Sequence, residues 1–282
     1  MERITPIYTA ELFPPLTARL VSLLRELPPA AWELPTLAGA WRVRDVAAHL
    51  LDGDLRRLSA CRDGHALAPG TPITGWADLV AFINALNASG VEASRRLSPR
   101  VLTDLLEVAG RWVADYFAEL PPHGPAAWAV AWAGEERSEN WMDIGRDYTE
   151  RWHHQMQIRD AVGAPGLLER RWLFPLLDLS VRALPRAYAD VSAPDGTAVR
   201  LDVESDGADA GPLSWSLVRE GEGWGVWRGA APAPAVTVRL AADVAWRVLY
   251  NALPAGDAER AAHISGDSDF ARPLFRTRSV MV

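Results

Sequence analysis

The stretch Asn140-Trp-Met-Asp-Ile-Gly-Arg-Asp-Tyr148-Thr-Glu150-Arg-Trp-His153-His154-Gln-Met-Gln157-Ile-Arg-Asp-Ala-Val162, followed by Gly163-Ala164-Pro165, decides how the chain reads. Glycine and then proline is the ordinary order in which a helix is stopped, so 140–162 is expected to be one helix. Residues four apart on a helix stand one turn above each other, which puts Glu150 and His154 on one face. A carboxylate and an imidazole together suit zinc and other first-row divalent metals. The same spacing also makes an ordinary surface ion pair, and a helix pair needs a third ligand from elsewhere. His153 points about 100° around the helix from His154. It is expected to pack or to support a ligand rather than reach the same ion.

Working outward, the apolar residues Leu12, Leu16, Leu20, Leu23, Leu24 and Leu27 recur at helical spacing until Pro28-Pro29. Val46, Leu50, Leu58 and Cys61 set a second helix over 43–61, whose Val46/Leu50 face turns His49 toward a bundle interior. Helices over 76–97 and 99–120 follow, the latter with Ser98-Pro99 as cap and first-turn proline. Another over 168–189 is expected to be bent or broken near Pro175 and Pro185. Downstream the period falls to two. Val199/Leu201/Val203, Trp215/Leu217, Trp224/Val226/Trp227 and Val236/Val238/Leu240 predict four strands of a mostly antiparallel sheet. Helices at 243–253 and 269–276 would cover one face of it. The expectation is a helical bundle over 1–165, then a linker helix and small α+β domain over 166–282. Facing helices of such a bundle commonly build metal sites, and His49 can complete a set with Glu150 and His154.

Composition narrows the chemistry. A net charge of −7 with scattered basic residues argues against nucleic acid. Every basic residue other than histidine is arginine, which excludes lysine Schiff bases and the P-loop lysine. The single cysteine, Cys61, excludes an internal disulfide and multi-cysteine metal sites, and reads as an inert small hydrophobe. Met1 to Leu27 lacks the apolar core and cleavage site of a secretory signal. No run approaches the roughly 18 to 20 apolar residues that span a bilayer. A cytoplasmic protein with no membrane partner is expected.

The segment Trp41-Arg-Val-Arg-Asp45-Val-Ala-Ala-His49-Leu50, with Glu150-x-x-x-His154 about a hundred residues later, resembles the DinB-like superfamily. Within it, the chain resembles the mycothiol-dependent maleylpyruvate isomerase group. The alternating C-terminal region resembles the sterol-carrier-like domain of that group, so the resemblance covers nearly the whole chain. It implies a DinB-like helical bundle followed by a sterol-carrier-like α+β domain, and His49, Glu150 and His154 as ligands of a divalent metal. Zinc is the first expectation, with nickel or iron as alternatives. It also implies a metal-activated low-molecular-weight thiol such as mycothiol, used for isomerisation or S-transfer on a small electrophile. Isomerase-like members often carry aspartate three residues after the second ligand histidine. Gln157 stands there in this chain, giving a His-His-x-x-Gln run found in other DinB-like proteins.

Other residues read more plainly. Arg151 and Arg159 fit a charged helix face, or less commonly an attractor of anionic substrate. Asp45 reads as a first-turn residue favoured by the helix dipole. Trp152 is placed either to line a pocket or to pack on a neighbouring helix. His65, His123 and His263 fall in or beside expected loops. Two other functions fit the same residues: a metal-dependent hydrolase without thiol, and a non-catalytic metal- or small-ligand-binding module. Monomer and homodimer stay equally open.

Overall fold

The computed structural model describes residues 1–205 and 211–280. The chain forms two compact units, each assembled from separate stretches.

The helical unit comprises Tyr8–Ala127 and Glu150–Gly166. It contains α1 (Phe13–Glu26), α2 (Val43–Arg57), α3 (Trp76–Ser94), α4 (Pro99–Glu119) and the second part of α5 (Asn140–Ala161). Prolines in its first turn open α1, which buries Phe13, Leu16, Leu20, Val21 and Leu24 along one stripe. In α4 the Ser98 hydroxyl accepts the Val101 N–H (3.3 Å), and Leu102, Leu106, Ala109, Val113 and Phe117 face inward. The core joins Leu20 and Leu24 of α1, Val46, Leu50 and Leu51 of α2, Leu102 and Leu106 of α4, and Ile158 of α5. A side chain at Gly110 would meet Thr17 Cγ2 at 2.7 Å, so the close approach of α1 and α4 depends on glycine. The expected single helix over 43–61 divides: α2 ends at Arg57 and passes into a π turn, Leu58–Arg62, that contains Cys61.

The second unit comprises Met1–Ile7, Trp128–Thr149 and the stretch beginning at Leu167. Its sheet contains β1 (Glu2–Arg3), β2 (Ala198–Glu204), β3 (Leu213–Glu220), β4 (Gly223–Arg228), β5 (Val236–Ala241) and β6 (His263–Gly266), in the order β1-β4-β3-β2-β5-β6. The β2/β5 pair is parallel and the other pairs are antiparallel. The four central strands fall where the alternation placed them. β1 and β6 were not expected, because two and four residues are too few to show a period. His263 and Ile264 therefore lie in a strand, paired with Arg239 and Val238, rather than in a loop.

The linker helix is broken into α6 (Arg170–Ser180), a 3₁₀ turn and α7 (Leu184–Ala187), and Pro185 opens the last piece. Three further helices follow: α8 (Ala242–Leu249), α9 (Ala255–Ala261) and α10 (Arg272–Arg276). Fully buried Asp178 on α6 accepts from Trp215 Nε1 at 3.1 Å and from Arg228 Nε at 3.0 Å, which ties α6 to the sheet. The mainly helical N-terminal region and the following α+β region match the fold class expected from sequence. No described helix is long and apolar enough to cross a membrane.

Candidate metal centre

Three local devices aim α2. The Asp45 carboxylate accepts the Arg42 backbone N–H at 3.1 Å, closing the first turn. The preceding loop is held by Thr36, whose N–H and hydroxyl both donate to the Trp41 carbonyl at 3.1 and 2.7 Å. Two turns further along α2, Asp52 pairs with Arg56 at 2.7 Å, and Arg56 Nη2 donates to Asn87 Oδ1 of α3 at 2.6 Å. Burial raises the Asp52 carboxyl above its ordinary range.

α2 is joined to α5 by a buried ion pair between Asp54 and Arg151, and Arg151 Nη1 also donates to Thr17 Oγ1 of α1 at 3.2 Å. Arg159 is equally enclosed, donating to Gln155 Oε1 (3.2 Å) and to the carbonyls of Pro165 (2.9 Å) and Arg19 (3.3 Å). Both arginines therefore depart from the expectation of a solvated face, and neither is presented to a substrate. No spacing signals this pair, because Asp54 and Arg151 lie 97 positions apart.

In this frame His49 of α2 and Glu150 and His154 of α5 converge. Each offers one ligand atom, and these atoms lie within 4.8 Å of one another. His154 Nε2 stands 3.5 Å from Glu150 Oε2, and the two imidazole rings meet edge to face with centroids 4.6 Å apart. The indole of half-exposed Trp41 walls one side, 5.0 Å from the His49 ring and 6.4 Å from that of His154. Burial, with the neighbouring His154 as a lesser cause, holds the His49 imidazolium well below the ordinary histidine range. His49 is thus neutral near pH 7, the form that ligates metals. Its buried Nδ1 has no hydrogen-bond partner among the described residues, an uncompensated polar atom that a cation would help to explain. Two imidazoles and one carboxylate, partly enclosed, are a donor set that fits zinc and other first-row divalent ions.

The remaining sequence candidates lie outside the cluster. His153 is buried with its ring 4.0 Å from that of His154, and Trp152 is fully buried, so it packs and does not line an opening. Asp45 occupies the first turn of α2, and Cys61 receives a hydrogen bond from Arg57 at 3.7 Å. His65 is exposed, and exposed His123 meets the Tyr8 hydroxyl at 3.0 Å. One contact was not foreseen: His154 Nδ1 lies 2.8 Å from Gln157 Oε1, and both residues are buried. Its sequence signal was the i,i+3 spacing.

Residues 13–159 match the family described as mycothiol maleylpyruvate isomerase N-terminal domain. Two crystal structures cover 91% of this chain and 90% of their own: the mycothiol-dependent maleylpyruvate isomerase (TM-score 0.51, 15% identity) and a point mutant of it (TM-score 0.50, 14% identity). At this identity the likeness speaks for the fold. No curated protein is matched by sequence.

Proposed function

Because this chain belongs to the family of mycothiol maleylpyruvate isomerase N-terminal domains, we propose that it is a divalent-metal-dependent enzyme using a low-molecular-weight thiol. The reaction is isomerisation of, or S-transfer to, a small electrophile. The observation that carries this reading is the convergence of His49, Glu150 and His154 to within 4.8 Å, on helices locked by the buried Asp54–Arg151 pair.

A divalent cation held there would lower the pKa of a coordinated thiol, so that thiolate exists near neutral pH without a protein cysteine. His49 and Glu150 present a neutral imidazole and the only carboxylate of the set. Three protein ligands leave room for an exogenous one, as in catalytic centres and unlike closed structural ones. Trp41 bounds that room with an aromatic face. Thiolate addition to a conjugated cis double bond gives an enolate that can rotate about the resulting single bond, and elimination then releases the trans isomer and regenerates the thiolate. Attack on an electrophile that keeps the sulfur ends in S-transfer.

The metal centre lies within 1–165, followed by a sterol-carrier-like domain within 166–282; mycothiol is the thiol, zinc the first metal to try, and the cytoplasm the compartment. The test is turnover of conjugated cis-diacids, maleylpyruvate first, and of other small electrophiles by metal-loaded protein, with and without mycothiol. Turnover that requires the thiol supports the reading. Equal turnover without it contradicts the reading and favours a hydrolase.

A further inference from the structure

Gln157 lies three residues beyond His154, on the same face of α5. Its Oε1 stands 2.8 Å from His154 Nδ1. An amide oxygen only accepts, so this contact places a proton on Nδ1, and in the neutral imidazole Nε2 then keeps its lone pair. Nε2 is the nitrogen that stands 3.5 Å from Glu150 Oε2. We infer that Gln157 is a positioning residue that selects the Nε2-ligating tautomer of His154 and fixes the direction of its ring before any cation arrives. The inference rests on the metal reading above.

The two histidines are supported unequally. His154 is set by Gln157, whereas His49 has a buried Nδ1 with no hydrogen-bond partner among the described residues. His154 is thus the pre-set ligand and His49 the one that adjusts. The support is also neutral: Gln157 orients the imidazole without adding charge, so Glu150 remains the only anion among the three ligands and this support. A carboxylate at 157 would keep the acceptor and draw the Nδ1 proton more strongly, making Nε2 more basic.

The test compares the full chain with Gln157→Leu, which removes the acceptor at similar volume, and Gln157→Glu, which keeps it. Zinc and nickel affinities are measured by competition with a chromophoric chelator. Long-range ¹⁵N–¹H NMR of the metal-free proteins reads the His154 tautomer, and thermal unfolding of the same samples checks the fold. The expected result is Nδ1–H at His154 in the parent and loss of that preference in Gln157→Leu. Metal affinity should fall about 10- to 100-fold in Gln157→Leu and be kept or tightened in Gln157→Glu. Should Gln157→Leu fail to fold, the Gln157→Glu arm and the parent tautomer decide. An Nε2–H tautomer in the parent, or parent-like affinity in Gln157→Leu, overturns the inference. A parent that takes up neither ion overturns the metal reading and the inference with it, and the NMR result distinguishes that failure from a wrong tautomer.

Discussion

Asp54 of α2 and Arg151 of α5 form an ion pair with side chains only 8% and 4% exposed, five residues beyond His49 and one beyond Glu150. The pair fixes the two helices that bear the candidate ligands. Removing one partner leaves the other charge buried and uncompensated. Asp54→Ala is therefore expected to cost about 3–5 kcal/mol of stability, read by urea unfolding of the metal-free protein. A loss below about 1 kcal/mol, the range of exposed pairs, would show that the pair does not clamp the helices.

The α1/α4 contact depends on Gly110, where a Cβ would meet Thr17 Cγ2 at 2.7 Å and Oγ1 at 3.1 Å. Gly110→Ala is expected to destabilise by about 1–3 kcal/mol through overpacking. Thr17→Ser removes the nearer atom and keeps the hydroxyl that accepts from Arg151. Adding it to Gly110→Ala should recover part of the loss. Denaturant midpoints of the two single variants and the double variant test this, and strict additivity would refute the proposed clash.

Tyr148 donates its hydroxyl to the Trp172 carbonyl at 2.7 Å, and burial raises its pKa well above the ordinary tyrosine value. The folded chain thus keeps a proton that the unfolded chain releases near pH 10. The contribution is whole below about pH 10 and is lost as pH rises beyond it. Stability should decline above that pH, and less steeply in Tyr148→Phe, which gives up about 0.5–1.5 kcal/mol of hydrogen bonding at neutral pH. Parallel alkaline slopes in parent and variant would contradict this.

Helical periodicity located α1, α2 and α4 within a few residues, because each buries a stripe against the same core, whereas α3 gives that core only Val91 and α5 was marked by its glycine-proline stop. The placement of Glu150 above His154 followed from helix geometry alone, and the Val46/Leu50 face made His49 a candidate third ligand, which the family resemblance then singled out. What stayed hidden was relational. Arg151 and Arg159 look solvated until their distant partners are known, Asp54 at 97 positions and the Arg19 carbonyl at 140. β1 and β6 exist only because β4 and β5 offer edges to pair with. Gln157 was visible as a departure from the isomerase pattern, but its bond to Nδ1 depends on the His154 rotamer, which no spacing reports.

The most direct test of the central claim is the metal content of untagged protein by plasma mass spectrometry, repeated with His49→Ala and His154→Ala. The account predicts near-stoichiometric divalent metal in the parent and its loss in both variants, with the fold retained. A parent that cannot be loaded, or variants that hold metal as the parent does, would contradict it.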